Sequence, residues 1–284
     1  MRWQFRNTGF SPGKFNMETD ESLAAGMAGS SDPATIPLLR VYGWKPHAVS
    51  IGFHQRMEDF DLRALQRAGI DIVRRPTGGR AILHADEITY SVVMPAGGRS
   101  PREIYKLISA GLLASLQALG VEAQLADPAE RYGPPEPDER DPALSGAARP
   151  SRDGQDVPAV RDDPPPRDDP RSVPCFSSSA KYEIQFDGRK LVGSAQRRYG
   201  GSVLQHGSLL LGPGHRRIVE FLSTESRHAR PRLEADLAGR TIDAGTILNR
   251  EVPFGEAARA LKKGFELACG ITFEEAPSTV FSTA

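Results

Sequence analysis

Cysteine is scarce: the 284-residue chain holds two, Cys175 and Cys269, far apart in sequence. A secreted disulfide scaffold uses more cysteines in a shorter chain, so both are expected as free thiols. Charge of one sign is also missing, since Lys+Arg and Asp+Glu are both 36. Binding nucleic acid through phosphate neutralisation requires a clustered basic excess, so nucleic acid is excluded as the main partner. A local basic patch for an acidic protein remains compatible with that total. No run approaches the roughly 20 apolar residues of a membrane helix. The opening Met-Arg-Trp-Gln-Phe-Arg-Asn-Thr-Gly carries no apolar signal-peptide core. A cytoplasmic, soluble monomer is expected. No His, Cys or carboxylate cluster has metal-ligand spacing, so no metal is expected. Neither a P-loop nor a dinucleotide fingerprint occurs, and no internal repeat is apparent.

The patterns that are present describe alternating helices and strands. Residues 15–29 form a helical pattern with Met17, Leu23, Ala24 and Met27 as its apolar face; Glu18, Asp20 and Glu21 fall where the helix dipole favours acids. Residues 37–44 and 49–53 predict strands, 61–68 a short helix stopped by Gly69, and 70–74 another strand. The turn-rich Arg75-Pro76-Thr77-Gly78-Gly79-Arg80 follows, then strands at 81–84 and 88–94. Ser100-Pro101-Arg102-Glu103 is a capping-box signature, and Ile104, Leu107, Ile108, Leu112, Leu116 and Leu119 recur at helical spacing up to Gly120. A weak strand at 121–125 comes next. Beyond it, Pro128–Pro174 carries 12 of the chain's 23 prolines and almost no large apolar side chains. Such a segment cannot offset its own conformational entropy, so an insert over 128–173 is expected within one domain spanning 1–284. Residues 181–186 and 189–197 read as a hairpin across Asp187-Gly188, and 202–211 as a further strand. Residues 215–222 read as helical and 227–241 as irregular. Phe254, Ala258, Leu261, Phe265 and Ala268 mark an amphipathic helix closed by Gly270, with a short strand at 271–274.

A few residues can carry chemistry. Cys175 follows a proline and precedes three serines, which places it in a turn; taken alone it fits either a nucleophile or a small buried side chain. Cys269 lies beside a helix's apolar face and reads as structural. Lys190 leaves the Asp-Gly turn and is followed by Gly193-Ser194-Ala195, small residues of the kind that let a ligand or backbone approach a strand. By itself it also fits a solvated strand lysine. The two arginines before Gly78-Gly79 have forks suited to a carboxylate or phosphate, or to an ordinary exposed turn. His84 and His206 fit either a base for Cys175 or hydrogen-bonded structural residues.

Together these stretches resemble the lipoate-protein ligase and octanoyltransferase superfamily. The resemblance rests on Arg74 to His84 followed by Glu87-Ile88-Thr89-Tyr90-Ser91, on Asn16-Met17 with Asp20-Glu21, on Gly188 to Gln196, and on Leu204-Gln205-His206-Gly207-Ser208. It implies an α/β (α+β) fold, a mixed central sheet flanked by helices as in the biotin and lipoate protein ligases. It implies that Lys190 contacts the acyl carbonyl oxygen, that Gly78 and Gly79 let backbone approach the acyl group, and that Arg75 and His84 shape the site, with Thr77, Gly193, Gln196 and His206 as further substrate-binding positions. Cys175-Phe176 resembles the cysteine motif of the LipM type of octanoyltransferase. That likeness implies transfer of octanoyl from octanoyl-acyl carrier protein, through a Cys175 thioester, to a lysine of a lipoyl carrier: the glycine cleavage H protein or a 2-oxoacid dehydrogenase E2 lipoyl domain. No cofactor is then required. The alternatives are an ATP-dependent lipoate ligase, which would use ATP and magnesium, and an amidotransferase between lipoyl-bearing proteins.

Overall fold

In the computed structural model, residues 1–29, 35–126, 183–224 and 227–275 are described. The insert at 128–173 and Cys175 lie outside the described residues. The described elements run in the order β1 (Arg2–Ser11), α1 (Gly13–Ala28), β2 (Leu38–Trp44), β3 (Ala48–Ile51), α2 (Leu62–Arg67), β4 (Asp71–Arg74), β5 (Ile82–His84), β6 (Glu87–Pro95) and α3 (Pro101–Leu119). They continue with β7 (Gln124–Leu125), β8 (Ile184–Phe186), β9 (Arg189–Tyr199), β10 (Ser202–Leu210), α4 (Arg230–Arg240), α5 (Ala244–Leu248), α6 (Phe254–Cys269) and β11 (Thr272–Glu275).

One sheet has eight strands in the order β11-β1-β2-β6-β10-β9-β8-β7, and a smaller one runs β4-β3-β5. The large sheet is mixed: β1 pairs parallel with both β11 and β2, whereas β2, β6, β10 and β9 pair antiparallel in turn. The sheet's two faces differ sharply. On one, Leu39, Val41, Ile88, Tyr90, Val92 and Leu209 join α3 and α6 in the main apolar core. On the other, α1 packs against β6 and β10. There the apolar clusters are small, such as Ala24 with Val93 and Leu204.

Local signals account for the helices over the core. Glu103 N donates to Ser100 Oγ and Ser100 N donates to Glu103 Oε2, closing the capping box at the start of α3. Gly120, with φ of 90°, ends that helix in the left-handed region. Contact between α3 and α6 is close because glycine sits at two crossing points. A Cβ on Gly264 would lie 2.2 Å from Ser115 N, and one on Gly111 would lie 2.8 Å from the Phe265 ring.

Two segments depart from the sequence expectation. Residues 227–241 are not irregular: they contain α4, whose buried Leu233 and Leu237 stand four apart on one face of an otherwise polar helix. The polar composition hid a two-residue apolar stripe. Arg2–Ser11, where no element was expected from sequence, form the strand β1, in which Trp3 is buried and Phe5 packs against the main core.

Gly264→Ala is expected to lower stability by about 1–3 kcal/mol, because the added methyl meets backbone that cannot step aside. Thermal melts followed by circular dichroism will show this as a Tm several degrees lower; an unchanged Tm would mean that α3 and α6 can separate without cost.

Candidate functional site

The polar face of the large sheet is built from two rows of directly opposed residues. Arg40, Ser91, His206 and Ala195 stand side by side across β2, β6, β10 and β9, and Tyr42, Thr89, Ser208 and Gly193 form the next row. Side chains alternate in a strand, so both rows face away from the apolar core. Both rows end in small residues on β9, where Gly193 and Ala195 leave space. A cavity occupies that space, between this face and the small sheet. Its walls include Trp44, Ser50, Arg75, Gly79, His84, Glu183, Lys190 and Gly193.

Beneath the cavity lies a buried charged network. Arg40 and Asp20 are both fully buried and 2.7 Å apart. Arg40 also donates to Thr8 Oγ1, Asn16 O and Asn16 Oδ1. Asp20 Oδ2 accepts from Tyr42 OH at 2.8 Å and meets His206 Nδ1 at 3.0 Å. Burial opposes ionisation of Asp20, but the His206 hydrogen bond and the Arg40 charge outweigh it and hold its carboxyl below the usual range. A carboxylate only accepts, so His206 donates from Nδ1. In the neutral ring its Nε2 then accepts from Thr77 Oγ1, 2.7 Å away. The chain Arg40–Asp20–His206–Thr77 thus ties the sheet and α1 to the Gly-Gly loop.

A second chain fixes His84. Trp44 stacks on its ring, with centroids 3.9 Å apart. Trp44 Nε1 donates to Thr89 Oγ1, which donates to Glu87 Oε1, and that oxygen lies 3.3 Å from His84 Nδ1. His84 Nε2 is 2.8 Å from Ser50 Oγ. Ser50 Oγ also accepts from Arg75 Nη1 at 3.2 Å. Burial lowers the His84 pKa, which keeps the ring neutral at neutral pH.

The site residues expected from sequence are only partly brought together. Lys190, Gly193, Gly79, Arg75, His84 and His206 line one cavity. Thr77 is fully buried behind it and supports His206, and Gly78 contributes its carbonyl to the loop's internal bonding. Gln196 is not among the residues lining this cavity: it belongs to the opposite face, donating to Gln205 Oε1 at 3.0 Å and Pro101 O at 3.4 Å. One residue beyond Ala195, strand alternation turns it away.

Arg75 lines the cavity, and its guanidinium is bonded to the protein's own backbone, the turn alternative of the sequence reading. Its nitrogens donate to Ser50 O, Gly78 O and Arg80 O, and Arg74 donates to the carbonyls of Gly52, Phe53 and Gln55. Both guanidinium groups satisfy turn backbone. Burial pulls the Arg75 pKa to about 10, still well above neutrality. The loop also packs against backbone: a Cβ on Gly52 would lie 1.9 Å from Gly79 O. Cys269, read as structural, packs against the main core.

Three contributors escaped the sequence reading. Asp20 was assigned to the helix dipole, yet it stands three residues from Met17 and four from Ala24, within the apolar stripe. Arg40 interrupts a strand of which all seven residues are buried. Glu183, directly before β8, reaches Lys190, with Oε1 2.5 Å from Nζ. Among the described residues, no group of three or more His, Cys, Asp or Glu side chains could hold a metal ion. Nor is any helix among them long and apolar enough to cross a membrane.

Comparison with known proteins places this arrangement. The model of the lipoyl protein ligase A/B catalytic domain matches residues 12–266, and the chain belongs to that family. Within it the chain is an acyltransferase, of the same type as the curated proteins named octanoyltransferase LipM. It is 34% identical to that of Geobacillus kaustophilus over 277 residues, which span 96% of this chain and 88% of the relative. Identity to that of Symbiobacterium thermophilum is 38% over 276 residues, spanning 95% and 87%. The fold is that of a bipartite lipoate protein ligase from Thermoplasma acidophilum, solved in a study that includes its E2 lipoyl domain. The TM-score is 0.69 at 19% identity, covering 99% of this chain and 88% of that one. A lipoate-protein ligase A bound with ATP gives 0.64 at 20% identity, covering 99% and 90%.

Asp20→Asn is expected to cost about 3–5 kcal/mol, because it strands the buried Arg40 charge. Urea unfolding at pH 7 measures it, and a loss under 1 kcal/mol would show that Arg40 is otherwise satisfied. Acid should weaken the fold through its histidines. His215 donates from Nε2 to Thr241 Oγ1, whose own proton goes to Leu237 O, and burial lowers the His215 pKa to about 4. Since the unfolded imidazole titrates near 6.5, the unfolded chain binds the proton first as pH falls. Stability should therefore drop between pH 6.5 and 4, by up to about 1.4 kcal/mol per pH unit for this group. His215→Asn should flatten that slope in urea titrations repeated across the range.

Proposed function

We propose that the chain transfers an octanoyl group from octanoyl-acyl carrier protein to a lysine of a lipoyl carrier domain, through a thioester on Cys175. The observation that carries this reading is the cavity itself. Lys190 lines it beside the small Gly193–Ala195 strip and the Gly79 backbone, so an acyl chain laid over that strip has an ammonium at hand for its carbonyl. The likeness to the LipM octanoyltransferases supports the octanoyl group as cargo.

In the first half-reaction the Cys175 sulfur attacks the octanoyl carbonyl. A new carbon–sulfur bond forms, the donor's carbon–sulfur bond breaks, and the donor leaves as a thiol. In the second, the acceptor lysine's amine attacks the acyl-enzyme. The amide forms, the bond to Cys175 breaks, and the amine proton returns to the sulfur. The Lys190 ammonium donates to the carbonyl oxygen as negative charge gathers there in both steps. Dividing the transfer lets the two carriers bind in turn. A thioester is already activated, so neither ATP nor a metal is required.

Intact mass spectrometry after incubation with octanoyl-carrier protein is expected to show one added octanoyl group. The adduct should be absent in Cys175→Ala, and transfer should proceed without ATP. An unmodified wild-type enzyme that releases pyrophosphate from ATP in the presence of lipoate would overturn the reading in favour of a ligase.

A further inference from the structure

We infer that Glu183 is a positioning residue for transfer, aiming the Lys190 ammonium at the acyl carbonyl and holding it charged. The inference rests on the proposed role of Lys190. Glu183 itself was chosen by neither the motif nor the comparisons.

The backbone shows how the pair is built. Along β9, Val192, Ser194 and Gln196 share one face while Gly193 and Ala195 share the cavity face. Strict alternation would put Lys190 with Val192, away from the cavity. The register with β8 is irregular at this point: Ile184 pairs with Val192, but the next residue, Gln185, pairs with Lys190. Two steps on β9 therefore match one on β8, the signature of a β-bulge, which re-aims a side chain. Lys190 consequently lines the cavity. Its backbone is fixed on the far side by Ile242 N donating to Lys190 O at 3.0 Å.

Glu183 is fixed as firmly. Its carbonyl accepts from Ala126 N at 2.7 Å. Its side chain is 3% exposed and that of Lys190 is 13% exposed. At 2.5 Å the contact is a charge-assisted hydrogen bond between poorly solvated groups. An ammonium has three donors. With one committed to Glu183, the direction of the others is restricted, which suits a group that must meet an oxygen developing at one place. From neighbouring elements Tyr105 acts on Glu183, and burial raises the Tyr105 pKa to about 12, so it remains neutral. Tyr42, Arg75, Arg80, His84 and His206 are the other titratable groups lining the cavity. A salt bridge serving only the hairpin would gain nothing from lying in the cavity wall; one that aims Lys190 must lie there.

The test uses Glu183→Gln, which preserves shape, and Glu183→Asp, which preserves charge, in the full chain. Competitive acetylation with acetic anhydride, read by mass spectrometry at Lys190 against exposed lysines, reports nucleophilicity without any need for turnover. In Glu183→Gln, Lys190 labelling at pH 8 is expected to rise roughly tenfold, one unit of protonation equilibrium. The value of kcat should fall about 10²-fold with KM for the acceptor within threefold, as for loss of a transition-state donor. Glu183→Asp should restore a substantial part of both. Equal Lys190 labelling in wild type and Glu183→Gln would overturn the inference, as would a loss of Tm with kcat unchanged. Should the wild type form no octanoyl adduct, the proposed reaction fails, while the labelling still decides whether Glu183 governs Lys190.

Discussion

The buried Arg40–Asp20 ion pair is the interaction on which this site depends. Removing two charges from water costs several kcal/mol each, and their attraction offsets that only when every remaining donor and acceptor is satisfied. Here Thr8, Asn16, Tyr42 and His206 complete the shell. The partners come from β1, α1, β2 and β10, so the network is satisfied only when these elements stand in one arrangement. That specificity replaces the broad apolar contact found under α3 and α6. The polar face has few large apolar side chains to lock α1, and directional bonds take over.

A sheet with one greasy and one polar face also explains where the cavity lies. The apolar face is filled by two helices that approach closely through Gly111 and Gly264. The polar face is not filled, because its rows end in Gly193 and Ala195. The loop at 75–80 covers the space without collapsing into it. Its carbonyls are bonded to Arg75, whose own position depends on Ser50 and hence on His84 and Glu87. The loop is held open by hydrogen bonds that a ligand does not have to break.

Much of this was legible in the residues, and the rest was hidden for identifiable reasons. The capping box, the Asp-Gly hairpin and the small residues after Lys190 act through neighbours in sequence, so their consequences could be read directly. The strip Gly193–Ala195, small residues that now border a cavity, was one such reading. Gln196 was assigned to the same strip because a motif groups contiguous residues, whereas a strand separates them by face. Arg75 was open to an anion or to an ordinary turn, since its fork suits both. Only the folded loop reveals that three carbonyls already claim it. Asp20 and Arg40 carried a signal, a charge inside an apolar stripe and a charge inside a buried strand, but each looks like an error in a pattern until the other is found opposite it.

Lys190 shows most plainly how local pattern and tertiary arrangement combine. Its place after a hairpin turn follows from Asp187 and Gly188, both at positive φ. Which face it presents does not follow from the turn, since alternation along β9 points the wrong way. The bulge opposite Ile184 and Gln185 reverses it, and Glu183 then meets it at the cavity wall. A bulge leaves no mark in one strand's sequence, because it is a property of the pairing. The same lysine on a regular hairpin would face α3, where its charge would be buried against the apolar core. The irregular pairing therefore has a consequence: it delivers a cation to the cavity face of the sheet.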